Sequence, residues 1–72
     1  MNDNDPDPND IIRKWSTLIA HRATFDGHLW HLQMYQFTKP IKLIGALEAG
    51  GWTIVSATIS LQGWYLEMRY TE

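Results

Sequence analysis

Three histidines, at positions 21, 28 and 31, are the residues of this chain best suited to binding a metal ion, since neutral imidazole is a common zinc ligand. The sequence predicts that they do not form such a site. Asp26-Gly27 is a strong signal for a two-residue hairpin loop, which places His28 and His31 on a strand. Residues three apart on a strand point to opposite faces, so these two cannot hold one ion. We therefore expect neither a metal nor another cofactor.

Acid–base catalysis is the next chemistry to consider. Asp26 with His28, or Glu67 with His31, would supply a carboxylate beside an imidazole. Catalysis also needs a concave pocket on which such groups converge, and a chain of 72 residues has little room for one. Pairs of this kind occur more often as surface ion pairs.

Nucleophilic and phosphate chemistry also lack their usual patterns. The chain has no cysteine, and Ser16, Ser56 and Ser60 lack the glycines of a nucleophile elbow. Gly50 and Gly51 follow a predicted helix, whereas a phosphate-binding loop precedes one. We predict that the chain is not an enzyme.

Two predicted strands carry aromatic and charged side chains on one face. A period of two along residues 29–37 turns Trp30, Leu32 and Met34 toward the core, and the same period along residues 64–70 turns Trp64, Leu66 and Met68 inward. The predicted partner-binding surface is the opposite face: Leu29, His31, Tyr35, Tyr65 and Arg69.

The chemistry of this face favours a protein partner, because aromatic rings and arginine are enriched at interface hot spots. The chain is thus predicted to be a non-enzymatic interaction module, with a homodimer as one possible assembly. The alternative is single-stranded nucleic acid, which binds stacked rings beside cations.

Composition sets further bounds. The absence of cysteine excludes disulfides and favours a reducing cytoplasm, and no apolar stretch approaches the roughly 20 residues of a membrane span. Residues 1–10 carry four aspartates and no base, whereas residues 11–72 carry six basic and four acidic side chains. This balance is unlike that of a dedicated DNA-binding domain. Residues 1–6 are predicted to be a disordered acidic tail, and residues 7–72 a single domain.

The predicted elements alternate between helix and strand. Asp7 and Pro8 are typical of a helix start, and the helix is expected to reach about Ala20, or alternatively Arg22. A short strand over 21–25 and a strand over 29–37 follow. A second helix runs from Pro40 to a left-handed stop at Gly50-Gly51.

Two strands complete the chain, joined at residues 61–63 by a turn or by a bulge at Gly63. The fold class is α+β, a small two-layer sandwich in which two helices cover one face of an antiparallel sheet of three to four strands. In strand Trp52–Ser60 the residues expected to face the core are Val55, Ala57 and Ile59. The predicted core is Ile11, Trp15, Leu18, Trp30, Leu32, Leu47, Val55, Ile59, Trp64 and Leu66.

Residues 30–70 resemble a family of small uncharacterised bacterial and phage domains built as strand, helix, strand, strand, with a Gly-Trp pair after the helix. The matching residues are Leu47, Gly51, Trp52, Ile54 and Val55, while Glu48 stands where that pattern has a glycine. The resemblance implies no activity. By analogy of size and composition, a phage or mobile-element inhibitor of host machinery, such as an anti-CRISPR protein, is the expected kind of protein binder.

Overall fold

The computed structural model describes residues 6–16 and 21–71. Its elements in chain order are α1 (Asn9–Trp15), β1 (Thr24–Phe25), β2 (Trp30–Met34), α2 (Ile41–Ala49), β3 (Trp52–Ser60) and β4 (Gly63–Tyr70). The four strands form one antiparallel sheet in the order β1-β2-β4-β3, and both helices pack on the same face. This is the predicted α+β architecture. Within the described ranges, no helix is long and apolar enough to cross a membrane.

Helix α1 begins as predicted but ends early. Asp7 Oδ1 accepts a hydrogen bond from the backbone N–H of Asn9 at 2.9 Å, and Pro8 has helical φ of −65°. The predicted end near Ala20 is wrong, because Ser16 is already extended and its hydroxyl contacts the ring of His21 at 2.6 Å. The rest of the predicted helix, with Leu18, lies outside the described residues.

Helix α2 matches its prediction more closely. Pro40 directly precedes it, and Leu43 and Leu47 are buried against the sheet. The left-handed residue that ends it is Gly51, with φ of +98°, rather than Gly50. The helix therefore delivers the chain directly into β3.

The first hairpin turns one residue later than predicted. Its loop is Gly27-His28, because Asp26 N–H donates to the Leu29 carbonyl at 3.1 Å, and of the two loop residues only Gly27 has positive φ. A glycine in the first loop position is the requirement of a type II′ turn. A two-residue loop at Asp26-Gly27 would place Arg22 opposite His31, whereas the observed loop shifts the register by two residues and places Thr24 there. An even shift leaves every side chain on its predicted face.

Strand β3 departs from strict alternation at a bulge. Ile54 pairs with Met68 but Ser56 pairs with Glu67, which leaves Val55 as the extra residue. The expectation that Val55 faces the core is therefore wrong, and its side chain is 48% exposed. Trp52, which strict alternation with Val55 would put on the other face, is buried.

The core lies between the helices and the middle of the sheet. Leu32, Leu47 and Leu66 are fully buried as predicted, and Ile11, Trp30 and Trp64 pack against them in part. Two further predictions were wrong, since Trp15 is 51% and Ile59 is 53% exposed. Trp15 is the last residue of the shortened α1, and Ile59 lies beside the exposed end of a hairpin. Met34 and Met68, predicted to face the core, are buried, and the buried residues that the prediction missed are Ile12, Ala23, Leu43 and Trp52.

A row of aromatic rings crosses this core. Phe25 of β1 lies 5.3 Å from Trp30 of β2, and Trp30 meets Trp52 of β3 edge to face at 6.1 Å. Trp52 in turn contacts Tyr70 of β4 at 5.4 Å. The row therefore joins all four strands.

Gly63, the first residue of β4, lets the end of β2 approach the β3–β4 hairpin closely. It has φ of +115°, and a Cβ atom there would lie 2.3 Å from the Met34 carbonyl oxygen and 2.7 Å from Gln36 N. Beside it, Trp64 N–H donates to the Gln36 carbonyl at 3.0 Å. Since no side chain fits this contact, glycine is required at the position.

Candidate functional site

The face of the sheet opposite the helices carries four interacting polar side chains, here called the His31 cluster: Asp26, His31, Tyr65 and Glu67. His31 Nε2 lies 2.5 Å from Asp26 Oδ2, and His31 Nδ1 lies 2.5 Å from the Tyr65 hydroxyl. Glu67 Oε2 is 3.4 Å from the same Nδ1. The two rings stack with centroids 5.8 Å apart. The cluster ties the first hairpin loop to β4.

Hydrogen bonding and charge fix the protonation of two cluster members. Backbone N–H groups of Leu29 and His28, followed by the His31 ring, hold the pKa of Asp26 far below its usual value. Burial, and then the charges of Glu67 and Asp26, raise the pKa of Tyr65. Asp26 is therefore ionised and accepts a hydrogen bond from the Nε2–H of His31, while Tyr65 is a neutral phenol.

The Asp26–His31–Tyr65 chain has the order of a proton relay, but the raised pKa of Tyr65 makes its phenol a poor nucleophile. A raised pKa leaves less phenolate at neutral pH than a free tyrosine would have. The two His31 nitrogens are already occupied by Asp26 and Tyr65. The observed contacts thus account for the cluster as a structural network on the sheet surface.

Of the predicted binding residues, the structure brings His31 and Tyr65 into contact. Arg69 is exposed on the same face, opposite Thr53, and Leu29 is half-buried just before β2. Tyr35 is exposed but lies beyond the end of β2, where its ring stacks at 6.3 Å on His21. The predicted surface is therefore divided between the His31 cluster and the end of β2.

The histidines occupy three different environments. His21 is buried, and its Nε2 accepts the Tyr35 backbone N–H at 3.1 Å, so that Nδ1 carries the proton and donates to Ser16. Burial lowers the pKa of His21. His28 is exposed in the hairpin loop, and His31 belongs to its cluster. In the part of the chain that the structure describes, no group of three potential ligands could hold a metal ion.

A groove of about 370 Å³ lies between the end of α1 and the start of α2. Trp15 and Ile41 line it with exposed fractions of 51% and 69%, beside Lys39 and Lys42. The lining among residues 6–16 and 21–71 includes no acidic side chain. Lys39 Nζ also lies 5.7 Å above the ring of Trp64. Sequence reasoning missed this groove because it assigned Trp15 to the core of a longer helix.

The edge of the sheet formed by β3 is the other prominent exposed feature. From Ala57 to Leu61 every residue is exposed, and Leu61 reaches 98%. Strand β3 contains no charged residue and no proline. It pairs with β4 on one side only.

The chain was compared with protein-family models, curated proteins and solved structures, and none of them matches it.

Proposed function

We propose that the chain is a non-catalytic protein-binding module, and that the groove between α1 and α2 receives an acidic, partly apolar segment of its partner. The observation that carries this proposal is the composition of the groove. Two large exposed apolar side chains, Trp15 and Ile41, flank two lysines with no described acidic residue among them.

The apolar side chains would supply most of the binding free energy. Each Å² of apolar surface removed from water contributes about 25 cal/mol, and tryptophan is over-represented among residues that dominate interfaces. Trp15 and Ile41 are both more than half exposed and still have this area to bury. A partner segment seated between the helices would cover both.

The lysines would supply orientation and selectivity. Lys39 Nζ lies over the Trp64 ring, a cation–π contact that favours this position of the charge. Lys42 lies one residue into α2 from Ile41. Carboxylates on the partner would meet both ammonium groups, while a basic segment would be repelled.

The outer sheet face gives weaker support to the surface predicted from the sequence. His31 and Tyr65 already bond to each other and to Asp26, so a partner would have to displace these contacts. Asp26 and Glu67 also place two carboxylates there, which oppose the phosphates of single-stranded nucleic acid. Inhibition of host machinery, the analogy drawn above, would use the groove as its point of attachment.

Selection of displayed random peptides against the immobilised protein tests the proposal. Enriched peptides should combine Asp or Glu with aromatic or aliphatic residues. Their affinity should fall at least about tenfold in Ile41→Asp and in Lys39→Glu, the loss typical of a hot-spot residue. Ile41 is the first residue of α2 and is exposed, so aspartate there favours the helix and the variant should fold.

Arg69→Glu on the outer face is the matched control, since it also reverses an exposed charge. Binding that survives Ile41→Asp and disappears in Arg69→Glu would reject the groove and favour the surface predicted from the sequence. A labelled single-stranded oligonucleotide should show no binding. Oligonucleotide binding that weakens steeply between about 50 and 200 mM salt would favour the nucleic-acid alternative.

A further inference from the structure

We propose that two copies of this chain form a symmetric dimer in which their β3 strands pair antiparallel about Thr58. The two four-stranded sheets would then join into one sheet of eight strands. This inference concerns the sheet edge and is independent of the groove.

The free edge of β3 has the chemistry of a strand that can pair with another chain. A free edge strand presents unpaired N–H and C=O groups, and proteins protect it with charges, prolines or a cover. Strand β3 has neither charge nor proline, and its exposure from Ala57 onward shows that nothing in the described chain covers this part. Its one protective device, the bulge at Val55, leaves the five residues beyond it regular.

The pattern of backbone hydrogen bonds shows which residues of β3 direct their N–H and C=O groups toward the free edge. Trp64 N–H donates to Gln36 next to β2, so Trp64 and its opposite residue Ile59 form a non-bonded pair within the hairpin. Bonded and non-bonded pairs alternate along antiparallel strands. Ile59 and Ala57 therefore direct their N–H and C=O groups away from β4, toward the free edge. Pairing with a second copy would form four hydrogen bonds, two between each Ala57 and the Ile59 of the other chain.

The sequence around Thr58 is symmetric in its pattern of polar and apolar residues. Residues 55–61 read Val-Ser-Ala-Thr-Ile-Ser-Leu, which is the same polar and apolar pattern in both directions about Thr58. A two-fold axis that passes midway between the two Thr58 residues, perpendicular to the sheet, keeps equivalent faces on the same side. Each exposed Ile59 then packs against Ala57 of the other chain, and serine meets serine. A one-residue slip would place apolar side chains against polar ones.

Charge substitution at the axis tests the register. Size-exclusion chromatography with light scattering should give the wild type about twice the 8.4 kDa mass of the chain. Thr58 is exposed and would lie directly opposite its copy, so Thr58→Lys and Thr58→Glu should each be monomeric. Mixing the two variants should restore the dimer. A monomeric wild type at millimolar concentration, or a mixture that stays monomeric, would overturn the proposal.

A disulfide provides a second measurement that does not depend on dimer affinity. The chain has no cysteine, so Thr58→Cys can form only an intermolecular bond. Non-bonded antiparallel pairs have Cα atoms close enough for a disulfide. Under mild oxidant Thr58→Cys should cross-link almost completely, and Ser56→Cys should cross-link efficiently with Ser60→Cys. Thr53→Cys, beyond the bulge, is the control and should remain uncross-linked. Equal cross-linking of Thr53→Cys and Thr58→Cys would contradict the register.

Discussion

The two edges of this sheet solve the same problem in opposite ways. At β1 the backbone of Ala23, just before the strand, faces away from β2 and is bonded by the side chain of Asn9. At β3 the corresponding groups of Ala57 and Ile59 meet no covering element among the described residues. The buried Asn9 carboxamide thus supplies at the first edge the hydrogen bonds that a neighbouring strand supplies elsewhere in the sheet.

The flanking sequence follows the same division. Strand β1 is two residues long and stands between Arg22 and Asp26, whereas β3 has nine residues and no charge. Short, charged edges resist pairing with another chain, and long, uncharged ones favour it. The residues of each edge strand therefore determine how that edge is protected, and substitutions at these residues can test it.

Loss of the Asn9 carboxamide should have the largest effect. Asn9 Oδ1 accepts the Ala23 N–H at 2.7 Å, and Asn9 Nδ2 donates to the Ala23 carbonyl at 3.0 Å. Asn9→Ala leaves both buried groups without partners, at a cost of roughly 1–3 kcal/mol each. We expect urea unfolding to show a loss of about 3 kcal/mol in the free energy of unfolding.

Asn9→Asp is the matched variant, because it keeps the acceptor for the Ala23 N–H but turns a carboxylate oxygen toward the Ala23 carbonyl and Asp7 Oδ1. It should therefore lose at least as much stability as Asn9→Ala. A loss below about 1 kcal/mol for Asn9→Ala would mean that the first edge is not held by this side chain.

Proline substitutions should distinguish the two sides of β3. Thr58 is bonded to β4, whereas the Ala57 N–H faces the free edge, so only Thr58→Pro removes a hydrogen bond within the chain. When unfolding is measured on protein dilute enough to be monomeric, Thr58→Pro should therefore cost about 2 kcal/mol more than Ala57→Pro. Equal costs would contradict the assigned phase of the edge.

The pH dependence of stability should report on His21, which lies near the protected side of the sheet. Burial lowers its pKa from 6.5, and protonation would also remove the acceptor that Nε2 offers to Tyr35. The unfolded chain therefore binds a proton more readily, and the free energy of unfolding should fall as pH drops below about 6.5, by at most about 1.4 kcal/mol per pH unit. His21→Gln should remove this slope above pH 5.

Asp26 should act in a separate and more acidic window. Its lowered pKa stabilises the folded state above its ordinary value of 3.8, and this contribution is lost as pH falls below that value. Asp26→Asn should flatten the acid limb of the stability profile without altering the slope assigned to His21. A change in both slopes would show that the two sites are coupled.

A single charge on the open edge should have the smallest effect on stability. Ile59 is 53% exposed in the single chain, so in protein dilute enough to be monomeric Ile59→Lys should change the free energy of unfolding by less than about 0.5 kcal/mol. The same substitution should reduce turbidity on heating, because lysine blocks further strand addition. A large loss of stability would place Ile59 in the core after all.

The elements of the fold could be predicted where local patterns decide them. Leu32 and Leu66 alternate cleanly with polar neighbours, and Leu47 follows helical spacing to a glycine stop. The bulge at Val55 has no comparable signal, because Ile54 and Val55 are equally suited to burial. At the early end of α1, Ser16 contacts His21, a contact that periodicity does not encode.

The candidate sites were harder to predict for the same reason. His31 and Tyr65 share a face by simple alternation, and this part of the predicted surface lies together in the structure. Asp26 completes their cluster only because the loop turns at Gly27-His28. The groove depends on where α1 ends, so Trp15 was predicted to be buried although it lines an open surface.

The row of rings that crosses the sheet gives this chain an optical fingerprint. Trp30 and Trp52 lie 6.1 Å apart and nearly perpendicular, an arrangement in which the two indole transitions couple and produce a strong near-ultraviolet circular dichroism signal. Phe25 and Tyr70 continue the row at 5.3 and 5.4 Å, close enough to pass excitation energy to the indoles. Trp30 belongs to β2 and Trp52 to β3, and β4 lies between these strands in the sheet, so the signal should be lost when any of the three detaches. Spectroscopy without labels can therefore follow assembly of the β2-β4-β3 part of the sheet.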